Sequence, residues 1–156
     1  MKIDKNVRDY AESYLERHRF EGQLHLDFGG YTVELRSSST ALVDKLKTYF
    51  RDFVCASVAR PSVVIHALET NPPNPQEMGL TFTAKQPDPG KSKIKEEWVE
   101  LNDGRMVRKR LTGMLFLFGN GYHLAVGPCL ENDNQVVNFI NNRFIEHSLN
   151  SGSLLF

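Results

Sequence analysis

The chain has 156 residues, of which 40% are hydrophobic, including 10 Phe, 5 Tyr and 1 Trp. That length is typical of one domain, and the apolar content is sufficient for a packed core, which excludes general disorder. The 19 basic and 19 acidic residues cancel, so no overall field favours nucleic acid, an anionic membrane or an acidic partner. Any charge-driven binding must therefore be local.

Neither a membrane span nor an export signal is evident in the sequence. The longest strongly apolar run, 114–118, is far shorter than the roughly 20 residues that cross a bilayer. The charged start, 1–5, is not followed by the apolar stretch of a signal peptide. Two distant cysteines, Cys55 and Cys129, match neither a metal nor a redox spacing. They predict buried free thiols in a reducing compartment, and hence a cytoplasmic protein.

The chain begins with a predicted helix and a predicted hairpin. Apolar residues recur at spacings of three and four over about 5–19, which is typical of an amphipathic helix. Two alternating runs, 23–28 and 31–36, flank Gly29-Gly30. Because a two-residue turn with positive φ is easiest for glycine, this pattern predicts a β-hairpin.

A second helix and a buried strand are predicted next. Hydroxyl side chains at 37–40 can cap a helix over about 40–54, whose apolar stripe includes Tyr49 and Phe53. Pro61 then precedes the β-branched run 62–68, which predicts a central strand with both faces covered.

The middle of the chain predicts loops, followed by a meander of antiparallel strands. The segments 71–75 and 86–95 are rich in proline and polar residues, as surface loops are. A short strand is predicted between them, over 80–85. Turn sequences then separate alternating runs, which predict strands at 98–101, 105–108, 112–118 and 122–126.

The last helix is predicted over about 132–150, with an inward face made of Val136, Val137, Ile140, Phe144 and Ile145. Residues 153–156 then begin another apolar segment. Because apolar residues at a chain end need a partner to bury against, we expect the sequence to be part of a longer protein.

These elements together predict a single α+β domain over residues 1–156. An antiparallel sheet, made of the early hairpin and the C-terminal meander, should pack with about three helices. The order of elements does not favour a doubly wound sheet, since the helices stop alternating with strands after the first half of the chain.

The search for a catalytic or metal motif gives only fragments. Gly90-Lys91-Ser92 is half of a phosphate loop, but the first glycine position is Lys85 and no apolar helix follows, which predicts a solvated loop. Cys129 precedes the last helix, whose dipole could lower the pKa of its thiol, although a buried apolar role is the simpler interpretation.

The histidines show no spacing that lets one strand or helix present two metal ligands. His25, His66 and His123 fall within predicted strands, where we expect structural histidines that are hydrogen-bonded.

Positive charge is densest between Arg105 and Arg110. One interpretation is an edge strand that is kept soluble by its charges. The other is that Arg105, Arg108 and Arg110 contact an anionic ligand or a partner protein.

The start of the last helix is rich in amides. Capping explains one of the residues Asn132 and Asp133. Because Asn forms helices poorly, its repetition at 134, 138, 141 and 142 indicates side-chain contacts with something nearby, so Asn132 and Asn134 are further candidate contact residues.

Three segments carry a resemblance to a known family: Val107 to Met114 (VRKRLTGM), Ala125 to Asn138 (AVGPCLENDNQVVN) and Leu149 to Phe156 (LNSGSLLF). They resemble the region just upstream of the phosphate loop in HPr kinase-related proteins, particularly the group called HPr kinase-related kinase B. The resemblance implies a bacterial, ATP-dependent phosphotransferase as the parent protein. Its ATP and Mg²⁺ ligands would lie beyond Phe156, so no catalytic, cofactor or metal residue is carried over to this chain.

The leading hypothesis is therefore an N-terminal accessory domain that docks a protein substrate, regulates the enzyme or assembles it, including as a homo-oligomer. Its expected partner in the same chain is a downstream P-loop kinase domain. The alternative is a free-standing binding module that uses the arginine cluster for an anionic ligand or partner protein. A third hypothesis, a self-contained enzyme, lacks a complete constellation. Neither nucleic acid nor a membrane is an expected partner.

Overall fold

The computed structural model describes residues 5–151, which form an α+β fold with three helices on one mixed sheet. The α+β class, the early hairpin and the C-terminal meander are confirmed, whereas the apolar segment predicted at 153–156 lies outside the described residues. The helices are α1 (Val7–Arg17), α2 (Thr40–Tyr49) and α3 (Asp133–Ser151), and a 3-10 turn (Arg51–Phe53) follows α2. The strands are β1 (Gly22–Phe28), β2 (Tyr31–Ser37), β3 (Val63–Glu69), β4 (Thr83–Ala84), β5 (Glu96–Leu101), β6 (Gly104–Lys109), β7 (Leu115–Gly119) and β8 (Tyr122–Gly127).

The eight strands form one sheet in the order β1-β2-β3-β8-β7-β6-β5-β4. Neighbouring strands are antiparallel except in the pairs β2–β3 and β3–β8, which are parallel. A parallel pair needs a crossover, and α2 supplies it between β2 and β3. β3 thus lies inside the sheet, as its β-branched run predicts. β4 is shorter than predicted, and Leu80 packs into the core before the strand begins.

Each face of the sheet has its own apolar core. On one face, called the α3 face, Leu46 of α2 and Ile140 of α3 pack in one cluster with Ile65. On the opposite face, called the α1 face, Ala11 of α1 packs in a second cluster with Leu124. The sheet is therefore covered on both sides. Within residues 5–151, no helix is long and apolar enough to cross a bilayer.

Helix α2 begins as predicted and ends earlier. Ser39 caps it, since the Ser39 Oγ accepts a hydrogen bond from the Leu42 N–H at 3.1 Å. The helix stops at Tyr49 because the chain turns back to β1, where Val54 forms a bridge with Leu26. Tyr49 is consequently 63% exposed and does not continue the apolar stripe.

Helix α3 covers most of its predicted inward face, since Val137 is also buried and Phe144 packs against the same core, but one predicted residue is exchanged. Val136 and Ile140 are buried as predicted, but Ile145 is 43% exposed, which contradicts its predicted position. Phe139, which was not predicted to face inward, is 5% exposed and packs on Phe116 of β7 with ring centroids 5.0 Å apart. The helix therefore turns its buried side toward β7.

The turn between β6 and β7 is tied to α3. Gly113 adopts φ +76, which glycine reaches without strain, and its N–H donates to the Lys109 carbonyl at 2.8 Å. Thr112 Oγ1 donates to Gln135 Oε1 at 3.1 Å and accepts from the Met114 N–H at 3.2 Å. Because of this turn, β7 begins at Leu115 and not at the predicted residue 112.

Candidate functional site

A cleft of about 880 Å³ lies on the α3 face, between α3 and the strands β5 to β7. Its apolar floor includes Val107, Phe116 and Phe118 from the sheet and Phe139 from the helix. The loop 92–95 and the turn 110–112 complete its walls. The cleft lies beside the contact of α3 with β7, where Phe139 packs on Phe116, and Val107 and Lys109 of the neighbouring strand β6 line it.

Amide side chains form one wall of the cleft. Asn134, Asn138 and Asn142 line it from positions four residues apart on α3, so they lie in one row along the helix. All three residues are exposed. Within residues 5–151, none of these three amides has a side-chain hydrogen bond. Their donors and acceptors are therefore free to bind a ligand.

Cationic side chains surround the same cleft. Lys93, Lys95, Lys109, Arg110 and Arg143 line it, against the single carboxylate of Glu96. The Lys109 Nζ donates to Glu96 Oε2 at 2.5 Å, and Lys85 Nζ lies 3.4 Å from Glu96 Oε1. Burial alone would raise the pKa of Glu96, but these two lysines lower it below its ordinary value. The Glu96 carboxylate is thus already paired with lysines, and the cations that do not pair with it leave the cleft with a net positive charge.

Arg143 is the most buried of these cations, with 9% of its surface exposed. Its guanidinium lies 4.5 Å from the ring centroid of Phe118 and 5.0 Å from that of Phe139. The Arg143 Nη1 pairs with Glu146 Oε2 at 2.9 Å, but its Nε has no hydrogen-bond partner in the described part of the chain. Burial lowers the pKa of Arg143, with the charge of Glu146 acting in the opposite direction.

The predicted arginine cluster is divided between the two faces of the sheet. Arg105 lies on the α3 face, bonded to Glu100 and 4.9 Å from the Trp98 ring centroid. Arg108 lies on the α1 face and pairs with Glu97 at 2.9 Å. Of the three predicted arginines, only Arg110 lines the cleft.

The interpretation of this stretch as an edge strand is wrong. β6 lies between β5 and β7, and carboxylates of β5 face the basic side chains of β6 across the strand pair. Cross-strand charge pairing therefore accounts for most of the basic residues.

The two predicted asparagines also separate. Asn134 lines the cleft. The Asn132 Nδ2 donates instead to the Pro128 carbonyl at 2.9 Å, while the Asn132 carbonyl accepts from the Gln135 N–H at 2.9 Å as α3 begins. Asn132 thus organises the start of the helix and leaves ligand contact to Asn134.

The three histidines in strands have different surroundings. His25 Nε2 lies 3.0 Å from Glu34 Oε1, as predicted for a hydrogen-bonded histidine. His66 packs edge to face on Phe20 at 5.0 Å. The Nδ1 of His123 is buried and has no partner among the described residues, so this ring is not hydrogen-bonded there, in contrast to the expectation for a structural histidine. Between Lys5 and Ser151, no group of three or more His, Cys, Asp or Glu could hold a metal ion.

The cysteines and the half phosphate loop match the simpler interpretations, with one correction. Cys129 is fully buried, and burial raises the pKa of its thiol to about 12, which contradicts activation by the helix dipole. Cys55 is half-buried and not buried as predicted. Gly90, Lys91 and Ser92 are all exposed in a loop, as expected.

Two features were not predicted from the sequence: the buried Arg143 in the cleft, and the pairing of His25 with Glu34 on β1 and β2, outside the cleft. A single arginine on a helix is usually exposed, so only the spacing of four between Phe139 and Arg143 indicates that Arg143 is buried. The pairing of His25 with Glu34 could have been found, since a two-residue turn at Gly29-Gly30 places these residues opposite each other.

Comparison with known proteins gives no match: no family model, no curated protein and no solved structure is similar to this chain.

Proposed function

We propose that this chain is a binding domain whose cleft takes an anionic partner, and that it serves as the accessory domain of an HPr kinase-like, ATP-dependent phosphotransferase. Its role there is docking of a protein substrate, regulation or assembly, without chemistry of its own. We further propose a cytoplasmic location, for which the spacing of two unpaired cysteines is the support.

One observation carries the binding function. The basic stretch and the amide-rich helix, which are distant in sequence, line the same cleft. Lys109 pairs with Glu96 and Arg143 pairs with Glu146, which leaves Lys93, Lys95 and Arg110 beside a row of three free amides. Such a lining attracts anions and provides directional hydrogen bonds for them.

The link to a phosphotransferase rests on where the resembling segments lie. VRKRLTGM supplies Lys109, Arg110 and Thr112 to the cleft, and the segment 125–138 supplies Asn134 and Asn138. Eight of the 18 residues that line the cleft come from these two segments. This coincidence favours an accessory domain that uses the cleft for its partner.

Anion binding is tested by fluorescence anisotropy with fluorescein-labelled polyglutamate as the probe. Reversing two cations of the cleft, Lys95→Glu with Arg110→Glu, should weaken binding by at least about tenfold, since each lost attraction is worth about 1 kcal/mol. Lys91→Glu is the matched control, because Lys91 is exposed in the same loop but does not line the cleft. Equal affinities for the wild type and the double variant would contradict binding in the cleft.

The accessory role is tested separately, by reading the genomic frame beyond Phe156. We expect a phosphate loop within a few tens of codons. A stop codon directly after Phe156 would remove the kinase hypothesis and leave the free-standing binding module, which is the alternative function.

A further inference from the structure

We infer that the cleft takes an acidic segment of a partner protein in extended conformation, with one of its carboxylates bound to Arg143. This inference rests on the proposed binding function and adds to it the class of partner and the residue that anchors it. Three observations carry it: the buried guanidinium, the row of amides and the inaccessibility of the aromatic rings.

Arg143 provides a built site for a carboxylate. The side chain is more than nine-tenths buried and lines the cleft, and its Nε finds no acceptor within residues 5–151. A buried N–H without a partner is unfavourable, and a buried cation even more so, unless an anion meets it. A carboxylate can accept from the Nε and from a second guanidinium N–H at the same time. Glu146 satisfies only the Nη1 side.

The row of amides indicates an extended chain, since a small free anion would not span it. Asn134 and Asn142 are eight residues apart on α3, about 12 Å at 1.5 Å per residue. That distance equals about four residues of an extended peptide at 3.3 Å each. Side-chain amides both donate and accept, so they can pair with the N–H and C=O groups of a peptide backbone. Inorganic phosphate would fill only one end of this row.

The aromatic floor disfavours nucleic acid. Single-stranded nucleic acid needs exposed rings on which its bases stack. Phe116 is 4% exposed and Phe139 is 5% exposed, while the Arg143 guanidinium lies over Phe118. These rings therefore provide no stacking surface for bases. They support the arginine and offer a narrow apolar strip beside it.

Charge complementarity defines the rest of the partner. Lys93 and Lys95 are exposed and, within the described ranges, take part in no ion pair. Arg110 lies 3.9 Å from its nearest carboxylate, Glu97, which is a weak pairing. These three cations lie on the wall of the cleft opposite α3, in the loop 92–95 and the turn 110–112. A partner segment that carries several acidic residues matches these cations better than a segment with only one acidic residue.

The experiment measures affinities of the purified chain for a fluorescein-labelled octapeptide of alternating glutamate and valine. The matched glutamine-valine octapeptide should bind at least tenfold more weakly. Inorganic phosphate and an eight-nucleotide thymidine oligomer serve as competitors, and neither should displace the acidic peptide at comparable concentration.

Two variants locate the peptide. Arg143→Lys keeps the charge but loses the Nε donor, and we expect at least fivefold weaker binding. Asn138→Ala removes the middle amide of the row at an exposed helix position, and about threefold weaker binding is expected. Arg19→Lys, which changes an arginine that is exposed and remote from the cleft, should bind as the wild type does.

The outcomes separate the two proposals. If Lys95→Glu with Arg110→Glu weakens binding but neither Arg143→Lys nor Asn138→Ala does, the cleft binds anions and the extended acidic segment is excluded. Displacement by phosphate or by the oligonucleotide would likewise overturn the peptide assignment. If neither polyglutamate nor the acidic octapeptide binds, both proposals fail together.

Discussion

At the scale of single residues, two half-buried imidazoles determine how the fold responds to acid. Burial lowers the pKa of His66 to about 4, assisted by the charge of Arg36, and burial likewise lowers the pKa of His123 to about 4, assisted by Arg143. Both pKa values lie below the ordinary 6.5 of an unfolded chain. The unfolded state therefore binds more protons between pH 6.5 and pH 4, and stability falls as the pH decreases through that window.

We expect the free energy of unfolding to be constant between about pH 6.5 and pH 8 and to fall by about 1–2 kcal/mol per imidazole on acidification to pH 4, after allowance for solvent screening. Urea unfolding at a series of pH values measures it. The double variant His66→Gln with His123→Gln should flatten the curve, while His18→Gln, at an exposed position, should not. An unchanged slope in the double variant would refute the assignment.

The surroundings of a residue were predictable from the sequence where a single neighbouring turn or strand determines them. They were not predictable where packing between distant elements determines them. The pairing of His25 with Glu34 follows from hairpin register alone. The burial of Phe139 in place of Ile145 does not, because both residues border the apolar stripe of the helix and the period alone does not say which border is covered. Contact with β7 decides it, and no local pattern encodes that contact.

At the scale of elements, one side chain connects the meander to the first helix. Asp103, in the turn between β5 and β6, accepts hydrogen bonds from the N–H groups of Val7 and Arg8, at 2.5 and 3.1 Å. These are donors that the start of α1 leaves unpaired. The carboxylate also lies at the positive end of the helix dipole.

Asp103→Ala should therefore lower the free energy of unfolding by about 1–2 kcal/mol, as the loss of a helix cap does. Asn102→Ala is the matched control, since Asn102 is exposed in the same turn and makes only a backbone hydrogen bond to Lys5. Urea denaturation of both variants beside the wild type provides the measurement. Similar losses in the two variants would show that the turn itself matters, and not the carboxylate.

Elements were predicted well where the signal is local, as in the hairpin at Gly29-Gly30 and in the caps. The end of α2 was not, because a bridge between Val54 and Leu26 interrupts the helix. The cleft could not be predicted at all. It arises from the position of α3 over β7, which leaves the face of β6 open, and positions of helices over sheets are set by packing between distant residues.

At the scale of the whole molecule, one continuous sheet should make unfolding cooperative. The two cores lie on opposite faces of the same strands, so loss of one face exposes the other. Trp98, the single tryptophan, is on β5, whereas the hairpin β1–β2 lies at the far end of the sheet. Unfolding followed by tryptophan fluorescence and by far-ultraviolet circular dichroism should give one coincident transition.

Ile65→Ala, in β3, should move both transitions together, with a loss of about 2–4 kcal/mol that reflects a fully buried side chain. Glu21→Ala, at an exposed position before β1, serves as the control and should move neither. If the fluorescence midpoint stayed in place while the dichroism midpoint shifted, the hairpin side and the meander side would be separate folding units.

The α+β class was predictable from the order of the elements, but the parallel pairing of β3 with β8 was not, since their partner residues His66 and Leu124 are about 60 residues apart. This pairing also has a consequence during biosynthesis. Ribosomes add roughly 5–20 residues per second, so β3 emerges some 3–12 s before its second neighbour exists. During that interval the β-branched residues Val63, Val64 and Ile65 form an uncovered apolar edge that can pair with other nascent chains. Codon changes that slow translation between positions 70 and 122 should therefore lower the soluble yield, whereas slowing after position 127 should not.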